Sequence, residues 1–453
     1  PARARPQSTA AEHGALGGPP EGRPGARRPL GARRPGPARA GSGPPRGRGR
    51  RGARPGAPLR ARGRGGAAAL AALLLASAAA AAAAEAEAQL HKLAAEDGQS
   101  GEEFGKSVAI SSDGSRVVVG ASGFGFPGSA HVFDGHTGAR LNKFVAADGA
   151  TNDQFGHSVS VSSDGSRIAV GAPNGDGVVS SSGSAYVFDG ATGARLLKIV
   201  ATDGAVADRF GNSVSMSSDG SRMVVGAHSD DDVGSSSGSA YVFNGATGVQ
   251  LHKLVSGDGS SYDIFGFSVS MSSDGSWVVV GAYKDDDVKR DAGAAYIFDA
   301  VTGVQLRKLV AEDAANNDQF GYSVAVSPDG SRVVVAAPYE DHRGNRAGAV
   351  YMFDRVTGAQ LHKFVADDGD TYDTFGFSVS VSSNGNSVVV GVYGDDDLGS
   401  RSGSVYVFNG TTGTQIHKIV ADDGSSSDNF GCAVCVNPDG SRAVVGACNG
   451  DVH

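Results

Sequence analysis

Three runs of consecutive aspartates, Asp230-Asp231-Asp232, Asp285-Asp286-Asp287 and Asp395-Asp396-Asp397, are the side chains of this 453-residue sequence best suited to chemistry. Carboxylate oxygens are preferred calcium ligands, so these nine residues are candidate ligands of weak calcium sites. Asp176 and Glu340-Asp341 are weaker versions of the same pattern. The competing reading is a solvated acidic loop, because adjacent residues seldom converge on one ion without alternate spacing. No other cofactor is implied.

A second set of acids lies seven and two positions before each of seven Phe-Gly dipeptides: Asp97 and Glu102, Asp148 and Asp153, Asp203 and Asp208, Asp258 and Asp263, Asp313 and Asp318, Asp368 and Asp373, Asp423 and Asp428. Recurrence in every repeat predicts a structural duty, accepting hydrogen bonds from turn N–H groups. Histidines 91, 252, 362 and 417 share one place in their repeats and are expected to be solvated edge residues. His131 and His157 have no recognisable triad partners. No Gly-x-Ser-x-Gly, phosphate loop or His-Glu-x-x-His occurs. Cys432, Cys435 and Cys448 are the only cysteines. Three are too few for a disulfide scaffold, and Cys432 and Cys435 point to opposite faces of an expected strand, so they are read as structural thiols.

The elements that carry these residues repeat. Phe-Gly begins at Phe104, Phe155, Phe210, Phe265, Phe320, Phe375 and Phe430, with one interval of 51 residues and five of 55. A typical unit reads Phe265-Gly266-Phe267-Ser268-Val269-Ser270-Met271, a Ser-Asp-Gly-Ser turn, Trp277-Val278-Val279-Val280-Gly281-Ala282, the acidic loop, Ala294-Ala295-Tyr296-Ile297-Phe298, a Thr-Gly turn, and Val304-Gln305-Leu306-Arg307-Lys308-Leu309-Val310. Four short β-branched or aromatic runs divided by Gly, Asp and Ser predict a four-stranded antiparallel meander. The second run is apolar on both faces and belongs inside the sheet; the fourth, with Lys, His, Arg and Gln, is an outer edge. The first alternates Ser with Val, which suits a crowded position beside an axis.

Such small sheets must stack on one another, and seven of them arranged radially make a β-propeller. A solenoid is the other architecture, but the ends of the pattern favour a ring. Gln89-Leu90-His91-Lys92-Leu93 matches a fourth strand and stands before the first Phe-Gly, while the last unit stops after two strands. The expected fold is all-β: a seven-bladed propeller of four-stranded antiparallel blades, its last blade incomplete and closed by the N-terminal strand, over residues 89–453.

Phe-Gly-x-Ser-Val, Val-Gly-Ala-Pro at Val170 to Pro173 and Gly-Ser-Ala-Tyr-Val-Phe together resemble the FG-GAP repeat of the integrin α-subunit N-terminal propeller. That resemblance implies calcium sites between the first two strands of some blades. Here the loop is only Ser-Asp-Gly-Ser at Asp113, Asp164, Asp219 and Asp274, or Pro-Asp-Gly-Ser at Asp329 and Asp439. One carboxylate in a tight turn cannot supply the roughly 6–8 oxygens calcium takes, so the family's metal site is not transferred.

The segments before the repeats are of another kind. Residues 1–65 hold sixteen arginines against Glu12 and Glu21, a net of +14, whereas residues 89–453 hold 24 basic and 44 acidic residues, a net of −20. The Ala/Gly/Pro/Arg stretch 1–66 is expected to be a disordered leader. Segment 67–88 contains the uncharged run Ala67 to Ala84 between arginine and small residues, the order of a secretory signal peptide cleaved near Ala84 to Ala88, with an uncleaved anchor or low-complexity sequence as the alternatives. The first methionine is Met216, so an incomplete start or an over-extended reading frame is expected at the N-terminus. Asn409-Gly410-Thr411 fits a glycosylation acceptor.

Repeat architecture without a catalytic constellation predicts a non-enzymatic binding or adhesion module, secreted or on the cell surface, recognising a protein or glycan through propeller loops. The alternative is a propeller hydrolase or lyase using inter-blade carboxylates. The acidic propeller should disfavour nucleic acid and anionic membranes as partners, and no membrane insertion of it is expected.

Overall fold

Each Phe-Gly unit folds as its polarity dictates. The computed structural model describes residues 89–450 and, as backbone, 72–76. The chain divides into two units, Pro1–Pro55 and Gly56–His453. The leader expected over 1–66, and all of 67–88 except Ala72–Ala76, lie outside the described residues. Apart from one 3₁₀ turn at Ser383–Gly385, the described residues are strands, turns and loops, and none of their helices is long and apolar enough to cross a membrane.

Six sheets are four-stranded antiparallel meanders, each made from one repeat in sequence order. The fourth blade comprises Phe265–Met271, Trp277–Ala282, Ala294–Asp299 and Gln305–Leu309. In it Val279 pairs with Ser270 on one side and Ile297 on the other, and every residue from Val278 to Ala282 is buried. The fourth strand is the outer edge, with Leu306 exposed and Leu309 turned inward. The propeller of four-stranded blades is therefore as expected for six sheets. The seventh differs. It has two strands of its own repeat, Phe430–Val436 and Arg442–Ala447, and its order continues through Ala72–Ala76 to Gln89–Leu93.

Serines in the first strands bind neighbouring blades. Ser160 Oγ accepts the Met216 N–H, Ser215 Oγ that of Met271, and Ser270 Oγ that of Val326, at 3.0–3.1 Å. Where Ser alternates with Val, the first strand thus has an apolar face that packs on the preceding blade, as Val269 and Met271 do with Val224 and Val242, and a small polar face for the next blade. The Ser-Asp-Gly-Ser turns link in the same way: Ser112 N–H donates to the Ser163 carbonyl, Ser163 to Ser218, and Ser218 to Ser273.

The Phe-Gly pair fastens the unit. Phe265 is fully buried, edge-on to Tyr296 and Phe298 with centroids 5.5 and 5.8 Å away, and Gly266 adopts φ +87°, which a side chain would strain. Gly281 serves close approach: a Cβ there would stand 2.0 Å from the Gly321 carbonyl oxygen of the next blade.

Candidate functional site

The acidic loops converge on lysines of the outer strands. Lys308 Nζ lies 2.9, 2.8 and 2.6 Å from carboxylate oxygens of Asp258, Asp285 and Asp287. Lys418 makes the same three contacts, at 2.9, 2.8 and 2.7 Å, with Asp368, Asp395 and Asp397. Lys253 does so with Asp203, Asp230 and Asp232. The third-strand tyrosine completes each cluster: Tyr296 OH donates to Asp285 at 2.5 Å and Asp258 at 3.0 Å, while Lys308 stands 5.3 Å from its ring centroid. Desolvation works against the Lys308 charge, yet the surrounding carboxylates outweigh it and raise the lysine pKa; burial with the adjoining Asp285 raises that of Tyr296.

Alternate spacing decides which aspartates of a triplet meet. The first, Asp230, Asp285 or Asp395, is buried under the lysine; the third, Asp232, Asp287 or Asp397, reaches the lysine from outside. The middle residue, Asp231, Asp286 or Asp396, is exposed, and Asp231 accepts the Ser236 N–H at 2.6 Å. Asp176 and Asp341 bind Ser181 and Arg346 N–H groups in the same fashion, and Glu340 takes the first position against Lys363. Asp258, Asp285 and Asp287 could hold a metal ion by their oxygen spacing, and the Lys308 ammonium occupies their centre. The local charge is thus already partly balanced by the protein itself.

The two acids before Phe-Gly take different roles. The nearer one accepts a turn N–H as expected: Ala150 donates to Asp153, Ala205 to Asp208, Ser260 to Asp263, Ala315 to Asp318, Asp370 to Asp373 and Ser425 to Asp428, all at 2.6–2.7 Å. Burial lifts Asp208, Asp263, Asp318 and Asp373 to about 6. The farther one is corrected from turn acceptor to ion-pair partner. Asp97, Asp148, Asp203, Asp258, Asp313 and Asp368 each bind the lysine of their blade's fourth strand, and Asp423 binds Lys92 at 2.5 Å.

The histidines need correction too. His91 and His252 are half-buried, and Nε2 of each hydrogen-bonds a turn carbonyl of the following blade, His136 at 2.8 Å and Val301 at 2.9 Å. They join blades rather than face solvent alone. His131 occupies the tyrosine position of the first blade, 3.0 Å from Ser129 Oγ, with burial lowering its pKa to about 4. Asp113 and its equivalents are spent within their turns, Asp113 accepting Ser111 Oγ–H and Ser115 N–H at 2.7 and 2.9 Å. Asn409 Oδ1 likewise accepts Thr411 and Thr412 N–H groups. The three cysteines are free thiols; Cys432 and Cys448, on separate sides of the second strand of their repeat, meet where Cys448 N–H lies 3.2 Å from Cys432 Sγ.

One arrangement does not repeat. The residue after each Phe-Gly is Lys106, His157, Asn212, Phe267, Tyr322, Phe377 or Cys432, and these follow one another around one end of the propeller axis. Asn212 Nδ2 donates to the Phe267 carbonyl at 2.8 Å; Phe267 to Tyr322 and Tyr322 to Phe377 are 5.0 and 5.2 Å between centroids; Cys432 Sγ reaches the Gly105 carbonyl at 3.6 Å. Residues just after the second strands extend the array: His228 lies 5.6 Å from Phe267, Tyr283 4.7 Å from Phe267, and Tyr393 4.4 Å from Phe377. Three adjoining blades therefore present an aromatic arc, and the remaining four positions carry Lys106, His157, Asn212 and Cys432. Burial holds His157 and His228 neutral down to about 4 and raises the Tyr322 hydroxyl. The sequence signal for this site was variation itself: two positions change character from unit to unit while their neighbours do not.

An FG-GAP repeat family model matches residues 88–133, 140–188, 195–243, 249–298, 304–353, 359–408 and 414–452. Comparison with curated proteins gives no match. Among solved structures, Kuenenia stuttgartiensis hydrazine synthase is similar in fold, with a TM-score of 0.54 at 15% identity, covering 77% of this chain and 94% of that one.

Proposed function

This chain belongs to the FG-GAP repeat family, and we propose that it is a non-catalytic binding module whose ligand, a protein or a glycan, docks on the end of the propeller that carries the aromatic arc. The observation that carries this reading is the convergence of Phe267, Tyr283, Tyr322, Phe377 and Tyr393 on one end of a framework that otherwise repeats. Aromatic side chains with a polar tip are suited to interfaces, because they bury much area at small entropic cost. The net of −20 over 89–453 favours basic or neutral partners over nucleic acid and anionic membrane.

A reaction is not part of the proposal. Asp263 is raised and Asp258 lowered, a divergence suited to acid and base roles, but each is committed to a turn amide or to Lys308 within its own blade. We place the module outside the cell, secreted or at its surface, on the order of basic, apolar and small residues through Ala88, with that segment retained rather than cleaved, since Ala72–Ala76 pairs with Arg442–Ala447 in the seventh sheet. The ring we propose has seven blades, with Gln89–Leu93 closing the last, a reading supported by the Lys92–Asp423 pair that repeats the lysine–aspartate contact of the other blades.

The test is binding of the purified protein to an array of extracellular proteins and neutral and charged glycans, repeated with Tyr283→Ser combined with Tyr393→Ser. A ligand retained by the native chain and weakened at least about tenfold by the double variant is the expected outcome. Absence of any ligand, or a ligand indifferent to the substitutions, overturns the docking face.

A further inference from the structure

We propose a neutral-carbohydrate site in the cleft between the fifth and sixth blades, resting on the binding-module reading and naming a ligand class for it. The cleft, about half open to solvent, offers about 670 Å³, and Asn316, Asn317, Gln319, Tyr339, Arg346 and Tyr372 are among the residues that line it. That volume lies within the roughly 300–1,000 Å³ of small-ligand sites.

The lining is a stack beside a set of amides. The Arg346 guanidinium lies 4.9 Å from the Tyr339 ring centroid and 6.0 Å from that of Tyr372, which is 59% exposed. Among the described residues, the side-chain amides of Asn316 and Gln319 have no intramolecular partner, and Asn317 Oδ1 accepts only an Arg290 N–H at 3.2 Å. Amides both donate and accept, as sugar hydroxyls do, and flat rings suit the C–H faces of a pyranose. Charge argues for neutrality: Arg346 opposes a cation, and Asp341 beside it in the same cleft opposes an anion.

Nothing in the propeller framework requires this stack. At the corresponding places one blade earlier stand Lys284, Asp291 and Asn317, and one blade later Gly394, Arg401 and Ser427. Tyr339 also approaches Tyr322 of the axial array, 6.3 Å between centroids, so the cleft adjoins the proposed docking face.

The experiment is a printed panel of neutral and sialylated oligosaccharides with glucose, galactose, mannose and N-acetylglucosamine termini, probed with the full chain and followed by titration of each neutral glycan retained. Retention of a neutral oligosaccharide, weakened at least about tenfold by Tyr372→Ala and by Tyr339→Ala but unchanged by Tyr262→Ala, is expected. Tyr262 is the control, exposed in the loop entering the fourth blade and away from the cleft. An unchanged thermal midpoint in Tyr372→Ala excludes misfolding. No neutral glycan retained, or retention indifferent to Tyr372→Ala, overturns the site. A protein ligand lost on Tyr283→Ser with Tyr393→Ser while no glycan binds overturns the carbohydrate class and leaves the binding module standing.

Discussion

Lys308 stands where a bound cation would stand, at the centre of Asp258, Asp285 and Asp287, and its covalent tether makes the charge permanent. Removing it as Lys308→Met leaves Asp285, which is almost fully buried, without its counter-charge. A fully buried pair broken in this way costs about 3–5 kcal/mol; the half-exposed Asp258 and Asp287 are screened, so about 1–3 kcal/mol is expected in urea denaturation. The same variant vacates three carboxylates. Calcium at millimolar concentration should then raise the melting temperature of Lys308→Met and leave that of the native chain unchanged. A rise in the native chain would show that the lysine does not serve as the cation. The triplets were visible as sequence, and so was a lysine on every outer strand, but a shared repeat period does not say which recurring residues meet, and Asp258 and Lys308 are about fifty residues apart.

At the scale of the blade, Gly281 and Phe265 show how a motif becomes a contact. The glycine lies inside a run of valines, where β-branched residues would serve the strand better, because the Gly321 carbonyl of the next blade approaches it. Gly281→Ala is expected to destabilise by about 1–3 kcal/mol, the usual cost of overpacking, measured by the shift of the denaturation midpoint. The fifth blade supplies the comparison. It carries Ala336 at this position, and a Cβ placed at Gly376 of the next blade would stand 3.0 Å from the Ala336 methyl, so the backbone there already accommodates that methyl. Ala336→Gly should therefore change stability far less than Gly281→Ala. Strand identity, strand order and the buried second strand were legible locally, since alternation and turn residues are local signals. Which blade's carbonyl meets which glycine was not.

Across the whole molecule, the last repeat packs on the first. Arg442 donates to the Gly135 carbonyl at 3.1 Å, Asn437 Nδ2 reaches the Ser112 carbonyl at 3.5 Å, and Val444 shares a hydrophobic cluster with Leu93, Phe104 and Val119. If the strands Ala72–Ala76 and Gln89–Leu93 close the ring, a chain beginning at Glu96 should melt several degrees below the full chain, with a lowered transition for all blades together rather than for the last alone. Equal melting temperatures would remove the closing role of those strands. The sequence by itself determined the repeat, the four-stranded unit, the outer edge and the axial place of the first strand, because period, polarity and turn chemistry act within a few residues. Only the tertiary structure decided that the outer lysines lock the acidic loops and that Phe267, Tyr322 and Phe377, each 55 residues apart, form one surface. Contacts between blades follow from the curvature of the ring, and no single unit of sequence contains them.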